Sequence, residues 1–136
     1  MSQFTVLVID DEIHMLRLIQ RILEMAGFRV IESDNGRYAL EMMKNPATRP
    51  DVITCDISLP DMDGFEVLHE VKSDATLQDI PVVMLTAMGQ HKDADRAKAM
   101  GASDFLTKPF SATTLVDILR KQLENRPVNN VATSPL

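Results

Sequence analysis

Cysteine is nearly absent from this chain of 136 residues, which contains only Cys55. A single cysteine cannot form an internal disulfide, and this usage fits a protein of the reducing cytosol. Clusters of cysteine and histidine with ligand spacing are also missing, because the three histidines are scattered at His14, His69 and His91. The sequence therefore does not favour a site for zinc or another soft metal.

Long apolar runs are a second absence. No run approaches the roughly 20 residues that a helix needs to cross a bilayer. The N-terminus, MSQFTVLVID, has neither a basic leader nor the long apolar stretch of a signal peptide. We therefore expect a cytoplasmic protein without membrane contact.

Basic residues are outnumbered, with 14 Lys and Arg against 20 Asp and Glu, for a net charge of −6. An acidic chain repels phosphate, which argues against direct binding to nucleic acid or to an anionic membrane. A basic or mixed-charge protein partner remains open. The length and the 45% hydrophobic content suit one domain with a real core.

What the chain does contain is a regular alternation of short apolar runs and helical stretches. The runs are rich in valine and isoleucine with little polar alternation, which is typical of strands covered on both faces. They lie at 4–9, 28–33, 51–55, 81–86 and 103–107. The predicted helices follow the first run up to Gly27 and then lie at 36–45, 64–73, 90–101 and 111–126.

This alternation predicts an α/β fold, with a five-stranded parallel sheet, right-handed crossovers and helices on both faces. Residues 127–136 carry no charge and no periodicity, so we expect a domain over 1–126 and a flexible tail over 127–136.

Polar side chains follow the predicted strands at the edge where such sheets carry their chemistry. Three acids, one hydroxyl and one ammonium meet this description, namely Asp10, Asp11, Asp56, Thr86 and Lys108. Clustered carboxylates repel each other unless a cation joins them. Because only oxygen ligands are available, Mg²⁺ is the cation that this set predicts.

The open part of a magnesium shell suggests a phosphoryl group, and Asp56 is then the candidate nucleophile for an aspartyl phosphate. Lys108 would offset phosphoryl charge, and the Thr86 hydroxyl would donate a hydrogen bond to a phosphoryl oxygen. Each residue alone has a simpler interpretation. The acids at 10–12 could cap the first helix, and the stretch DMDG could form a calcium loop or a turn that leads into the third helix.

The set of motifs resembles the receiver domain of two-component response regulators. The matching stretches occur in the family's order over about residues 4–124 and are VLVIDDE, CDISLPDMDG, LTA and LTKPF. The resemblance implies a flavodoxin-like sheet with strand order 2-1-3-4-5. It also implies that Asp56 accepts phosphate from the phosphohistidine of a sensor histidine kinase or phosphotransfer protein.

The resemblance implies further roles at single positions. Asp11, Asp56 and the Ser58 carbonyl would bind Mg²⁺ directly, and Asp10 would act through a bound water. Thr86 and Phe105 would be the switch residues, with Phe105 working by packing alone because it lacks a hydroxyl. The bond from Lys108 to Pro109 is often cis in this family, and Ser58 and Met88 fall where the dephosphorylation rate is tuned.

The hypothesis is a phosphorylation-driven switch that changes protein contacts through the face of the fourth helix, fifth strand and fifth helix. The resemblance allows a homodimer to form there on phosphorylation. Beyond self-catalysed phosphotransfer and autodephosphorylation we expect no enzyme activity. The chain is either a stand-alone regulator or a receiver from a longer protein. The alternatives are an aspartate-nucleophile phosphatase and a receiver-like interaction domain that is not phosphorylated.

Overall fold

The structure, a computed structural model, describes residues 3–87 and 91–124, in which strands and helices alternate. The strands are β1 (Thr5–Ile9), β2 (Arg29–Ser33), β3 (Val52–Asp56), β4 (Val82–Ala87) and β5 (Asp104–Lys108). The helices are α1 (Ile13–Met25), α2 (Gly36–Lys44), α3 (Gly64–Ser73), α4 (His91–Ala99) and α5 (Ala112–Glu124). These elements confirm the predicted alternation with bounds that shift by one or two residues. The predicted tail and the domain boundary at 126 lie outside the described residues.

The five strands form one parallel sheet in the order β2-β1-β3-β4-β5. This order confirms the one that the resemblance implied. Every residue of β1 and β3 is buried, whereas the edge strands β2 and β5 are partly exposed. The continuous apolar runs of β1 and β3 follow from this burial, because both faces of a central parallel strand are covered.

Helices cover the sheet on both faces. One core cluster joins the sheet to α2, α3 and α4, and its helical members include Met43, Leu68 and Ala97. The other joins the opposite face to α1 and α5 through residues such as Ile19 and Leu119. In the described ranges no helix has the length and apolar character needed to span a lipid bilayer.

Local sequence signals mark several of the helix ends. The Glu12 side chain caps α1 by accepting from the Met15 N–H, and Gly27 follows the end of α1 with φ +97. Asp63 forms a capping box with Glu66 at the start of α3, and the Ser111 hydroxyl accepts from the Thr114 N–H before α5. These caps confirm the predicted starts of α3 and α5.

Thr54 in the middle of β3 places a polar side chain inside the core. It is fully buried, and its Oγ1 has no hydrogen-bond partner in the described part of the chain. Because valine has nearly the same shape without the unpaired hydroxyl, Thr54→Val should stabilise the fold by about 1–2 kcal/mol. Urea unfolding followed by circular dichroism measures the change.

The matched control is Thr107→Val, since Thr107 is a strand threonine that is exposed to solvent. We expect its free energy of unfolding to stay within about 0.5 kcal/mol of wild type. A loss of stability in Thr54→Val would show that the hydroxyl is satisfied in solution, for instance by a buried water.

Candidate functional site

The carboxyl ends of β1, β3 and β5 bring three charged side chains, distant in the sequence, to the same end of the sheet. Asp10 follows β1 directly, Asp56 is the last residue of β3, and Lys108 is the last residue of β5. The parallel register explains the convergence, since Ile9 pairs with Cys55 and Asp56 pairs with Leu85. The structure therefore brings these three predicted site residues together at the carboxyl ends of their strands.

Lys108 lies between two of the acids. Its Nζ is 2.9 Å from Asp10 Oδ2 and 3.6 Å from Asp56 Oδ1. The Asp10 side chain is fully buried, and the side chains of Lys108 and Asp56 are 20% and 12% exposed. The Lys108 ammonium therefore offsets the charge of the buried Asp10 and also lies beside the Asp56 carboxylate, which solvent can reach.

Asp10, Asp11 and Asp56 form the acidic group of the site. One carboxylate oxygen from each lies within 4.8 Å of those from the other two. Asp10 is fixed further, because its Oδ1 accepts from the Glu12 backbone N–H at 2.9 Å. Three converging carboxylates without a sulfur or imidazole ligand fit a hard divalent cation, and Asp11 and Asp56 are the members that solvent reaches.

Burial raises the pKa of Asp56, Lys108 opposes this effect by lowering it, and the Asp10 carboxylate adds to the rise. The Ser58 N–H also lowers the pKa, and it donates to Asp56 Oδ1 at 3.4 Å. The environment of Asp56 is thus short of positive charge. A bound cation would supply that charge and favour the ionised carboxylate.

The predicted switch residues lie on β4, which pairs with the strand of Asp56, and on β5, the next strand in the sheet. Thr86 is buried near the end of β4, opposite Thr107 of β5. Phe105 pairs with Met84, so Thr86 and Phe105 occupy the same face of the sheet at positions two residues apart. Phe105 is partly buried against the core cluster under α4.

The Lys108–Pro109 peptide bond is cis, as the resemblance implied, and Met88 lies outside the described residues.

Some of the simpler interpretations hold for single residues. Glu12 is indeed a helix cap, which leaves Asp10 and Asp11 for the site. The stretch DMDG forms the turn and cap before α3. Cys55 is a buried thiol whose pKa is raised by burial and by the Asp56 carboxylate, so it stays protonated as a core side chain.

Ser58 occupies the position where an aspartate-nucleophile phosphatase needs its general acid, and serine cannot fill that role.

Two contacts of the loop after β3 were not expected from the sequence. The Asp61 carboxylate accepts from the backbone N–H groups of Gly36 and Arg37, each at 2.9 Å, and so ties this loop to the start of α2. Gly64 donates its N–H to the Ile57 carbonyl at 2.7 Å and packs against the backbone of Asp56. No local pattern reveals the Asp61 contact, because its partners lie about 25 positions earlier.

Asp61 offers a test through pH, because its two backbone hydrogen bonds lower its pKa below the usual 3.8. The ionised form is the one that the fold favours, so the contact stabilises the fold above the unfolded pKa and weakens as pH falls through the lowered one. Asp61→Asn should therefore reduce the free energy of unfolding near pH 7. That deficit should shrink steadily as the pH falls below about 4.

Urea unfolding across this pH range measures the deficit. Asp95→Asn is the control, since Asp95 is an exposed acid on α4. A deficit that is independent of pH would mean that the loop is held by contacts other than the charge of Asp61.

Comparisons with known proteins agree with this geometry. The family model of the response regulator receiver domain matches residues 6–120. The chain is 38% identical over 120 residues to the chemotaxis protein CheY of Bacillus subtilis, and the match covers 87% of this chain and 96% of that protein. It is 37% identical over 119 residues to the phosphate regulon transcriptional regulatory protein PhoB of Pseudomonas aeruginosa, with 88% and 51% covered.

The chain thus spans about half the length of the first curated relatives it matches, PhoB and the probable regulators called ycf27. Among solved structures, the chemotaxis response regulator CheY4 of Vibrio cholerae superposes with a TM-score of 0.80 at 33% identity, covering 89% of this chain and 99% of that one. Taken with the sheet order and the site at its edge, these matches show that the chain belongs to the family of response regulator receiver domains.

Proposed function

We propose that Asp56 accepts a phosphoryl group from the phosphohistidine of a sensor histidine kinase or a phosphotransfer protein. The observation that carries this proposal is the position of Asp56 within 3.6 Å of the Lys108 ammonium and beside two further carboxylates. An acid that must carry a phosphoryl group gains charge compensation on two sides.

The transfer is a displacement at phosphorus. A carboxylate oxygen of Asp56 forms the new O–P bond while the bond between phosphorus and the imidazole nitrogen breaks, and the electron pair stays on that nitrogen. The reacting groups need mostly positioning and charge neutralisation. Lys108, held by Asp10 at 2.9 Å, keeps its ammonium where a phosphoryl oxygen would gather charge.

Mg²⁺ is the cofactor that the donor set fits best, since its oxygen-only carboxylates suit a hard cation. Asp11, Asp56 and the Ser58 carbonyl would hold it directly, and Asp10 would act through a water molecule. Bound there, the ion would supply positive charge that offsets the charge of the phosphoryl group. The same charge compensation serves hydrolysis, in which a water oxygen bonds to phosphorus while the O–P bond to Asp56 breaks and the carboxylate is regenerated. Beyond the phosphotransfer itself, we expect this autodephosphorylation as the only further chemistry.

In this proposal Thr86 and Phe105 change conformation when Asp56 is phosphorylated. Thr86 would donate its hydroxyl to a phosphoryl oxygen, and the ring of Phe105 would repack by shape alone. Both lie on the face that α4 covers, and β5 is the edge strand, with α4 on one face and α5 on the other. The surface of α4, β5 and α5 is therefore where a downstream protein would distinguish the two states. That surface is also the candidate interface for a homodimer after phosphorylation.

The proposed receiver unit comprises residues 1–126, with 127–136 as a tail, and we place it in the cytoplasm, where its single cysteine stays reduced. We expect no direct contact with nucleic acid or membrane, in keeping with the net charge of −6.

Incubation with acetyl phosphate and Mg²⁺, followed by intact mass spectrometry, tests the proposal. The expected result is a lasting gain of one phosphoryl group, which is absent in Asp56→Asn and after removal of Mg²⁺ with a chelator. Asp34→Asn is the control, since Asp34 is an exposed acid in the turn before α2. Fast hydrolysis of acetyl phosphate without a lasting adduct would favour the phosphatase, and no reaction at all would favour the non-phosphorylated interaction domain.

A further inference from the structure

Three helices, α2, α3 and α4, cover one face of the sheet, and α4 is the most weakly packed of them by its described side chains. Of its side chains described at 92–99, only Ala97 is buried, and an alanine contributes little apolar surface. Four charged residues, Lys92, Asp95, Arg96 and Lys98, are exposed. The position of α4 therefore depends on a small number of specific contacts, and the loss of one of them should be measurable.

Arg96 makes such a contact with α3. Its guanidinium carbon lies 4.0 Å from the centroid of the Phe65 ring, which is within the range of a cation–π interaction. Phe65 is 3% exposed, so the ring is fixed in the core while Arg96 lies at the surface. The contact joins the weakly packed helix α4 to a ring that is buried in the core.

Phe65 is in turn closely coupled to the backbone of the phosphoacceptor. The preceding residue, Gly64, donates its N–H to the Ile57 carbonyl at 2.7 Å. The packing there is so close that a Cβ on Gly64 would lie 2.5 Å from the Asp56 carbonyl oxygen. The start of α3 is therefore packed directly against the peptide that follows Asp56. A shift of that peptide moves the first turn of α3, and with it Phe65.

We propose that the Arg96–Phe65 contact couples the state of Asp56 to the docking of α4, through Gly64 and the first turn of α3. This route runs through α3 and not through Thr86, and it rests on the proposed phosphorylation of Asp56. In the unmodified protein Arg96 holds α4 against α3. When the loop after β3 adjusts to the phosphoryl group, the Phe65 ring shifts beneath Arg96, and α4 is released. By reciprocity, a partner that holds α4 in place resists phosphorylation.

Hydrogen exchange of the α4 amides, read by mass spectrometry, tests the proposal in a double-mutant cycle. Arg96→Gln removes the cation and Phe65→Leu removes the ring. Each should speed α4 exchange about two- to fivefold in the unmodified protein, which corresponds to the strength of a surface cation–π contact. The double variant should add little to the larger single effect, because one contact is lost in each case.

Controls separate this contact from general effects of charge and stability. Lys98→Gln removes the same charge from another exposed position of α4 and should leave exchange at the wild-type rate. Arg96→Lys keeps a cation and should restore most of the protection. Exchange in α5 is the internal reference for any global loss of stability in Phe65→Leu.

The second arm repeats the exchange after acetyl phosphate and Mg²⁺, with the phosphorylated fraction of each sample taken from its intact mass. Wild-type α4 should exchange faster when phosphorylated, and Arg96→Gln should show a smaller increase because the contact is already absent. Additive effects in the cycle, or an undiminished increase in Arg96→Gln, would overturn the coupling alone. Failure of wild type to gain a phosphoryl group would overturn the proposed function and the coupling with it.

Discussion

Replacing Lys108 with methionine is expected to slow phosphorylation of the protein by acetyl phosphate about 100- to 1,000-fold, the usual cost of losing one preorganised charged donor. The ammonium is the cation nearest to Asp56 in the described part of the chain, at 3.6 Å from Oδ1. Methionine keeps most of the aliphatic stem and removes only the charge and its hydrogen bonds. The rate should fall because the carboxylates of Asp10 and Asp56 would then meet the incoming phosphoryl group with one positive charge fewer.

The time course of the intact mass, at fixed acetyl phosphate and Mg²⁺, measures this rate. Lys121→Met is the matched control, because Lys121 is an exposed lysine on α5 and its loss changes the net charge equally. Circular dichroism confirms that the Lys108 variant is folded before its rate is taken. A rate equal to that of wild type would show that Lys108 balances Asp10 only, as the shorter distance of 2.9 Å permits, and has no part in the transfer.

The meeting of Asp10, Asp56 and Lys108 could be predicted from the sequence because it follows from one property of the fold. Parallel strands end at the same edge of the sheet, so residues that follow such strands approach each other regardless of their separation along the chain. The strand bounds came from the apolar runs, and these were within one residue of the observed ones. Periodicity could not supply the strand order, since it does not tell which strands are neighbours.

The finer geometry could not be predicted, because it depends on contacts between segments that no local pattern relates. The ammonium of Lys108 lies closer to Asp10 than to Asp56, and this choice is set by the burial of Asp10 and by side-chain conformation. The hold of Asp61 on the start of α2 depends on how two loops pack. The place of Arg96 over Phe65 likewise depends on the packing of α4 against α3.

The close approach of α3 to the phosphoacceptor gives the second large effect, at Gly64. An alanine Cβ there would lie 2.5 Å from the Asp56 carbonyl oxygen and 2.8 Å from the Ile57 Cα. Both are backbone atoms, so relief requires the loop after β3 or the start of α3 to move. We expect Gly64→Ala to lower the free energy of unfolding by about 1–3 kcal/mol, the range for overpacking, and to slow phosphorylation of Asp56.

Gly36→Ala is a close control, because Gly36 also occupies the first position of its helix after a capping side chain. The added Cβ would meet the side chain of Met62, which can change rotamer, and Val67 Cγ2 at 3.0 Å. The two substitutions remove the same backbone freedom and differ in whether the obstacle can yield. Urea unfolding and the phosphorylation time course should therefore show a larger loss at Gly64 in both quantities. Equal losses of stability with normal phosphorylation in both variants would mean that the peptide after Asp56 adapts freely, and that α3 does not constrain the phosphoacceptor.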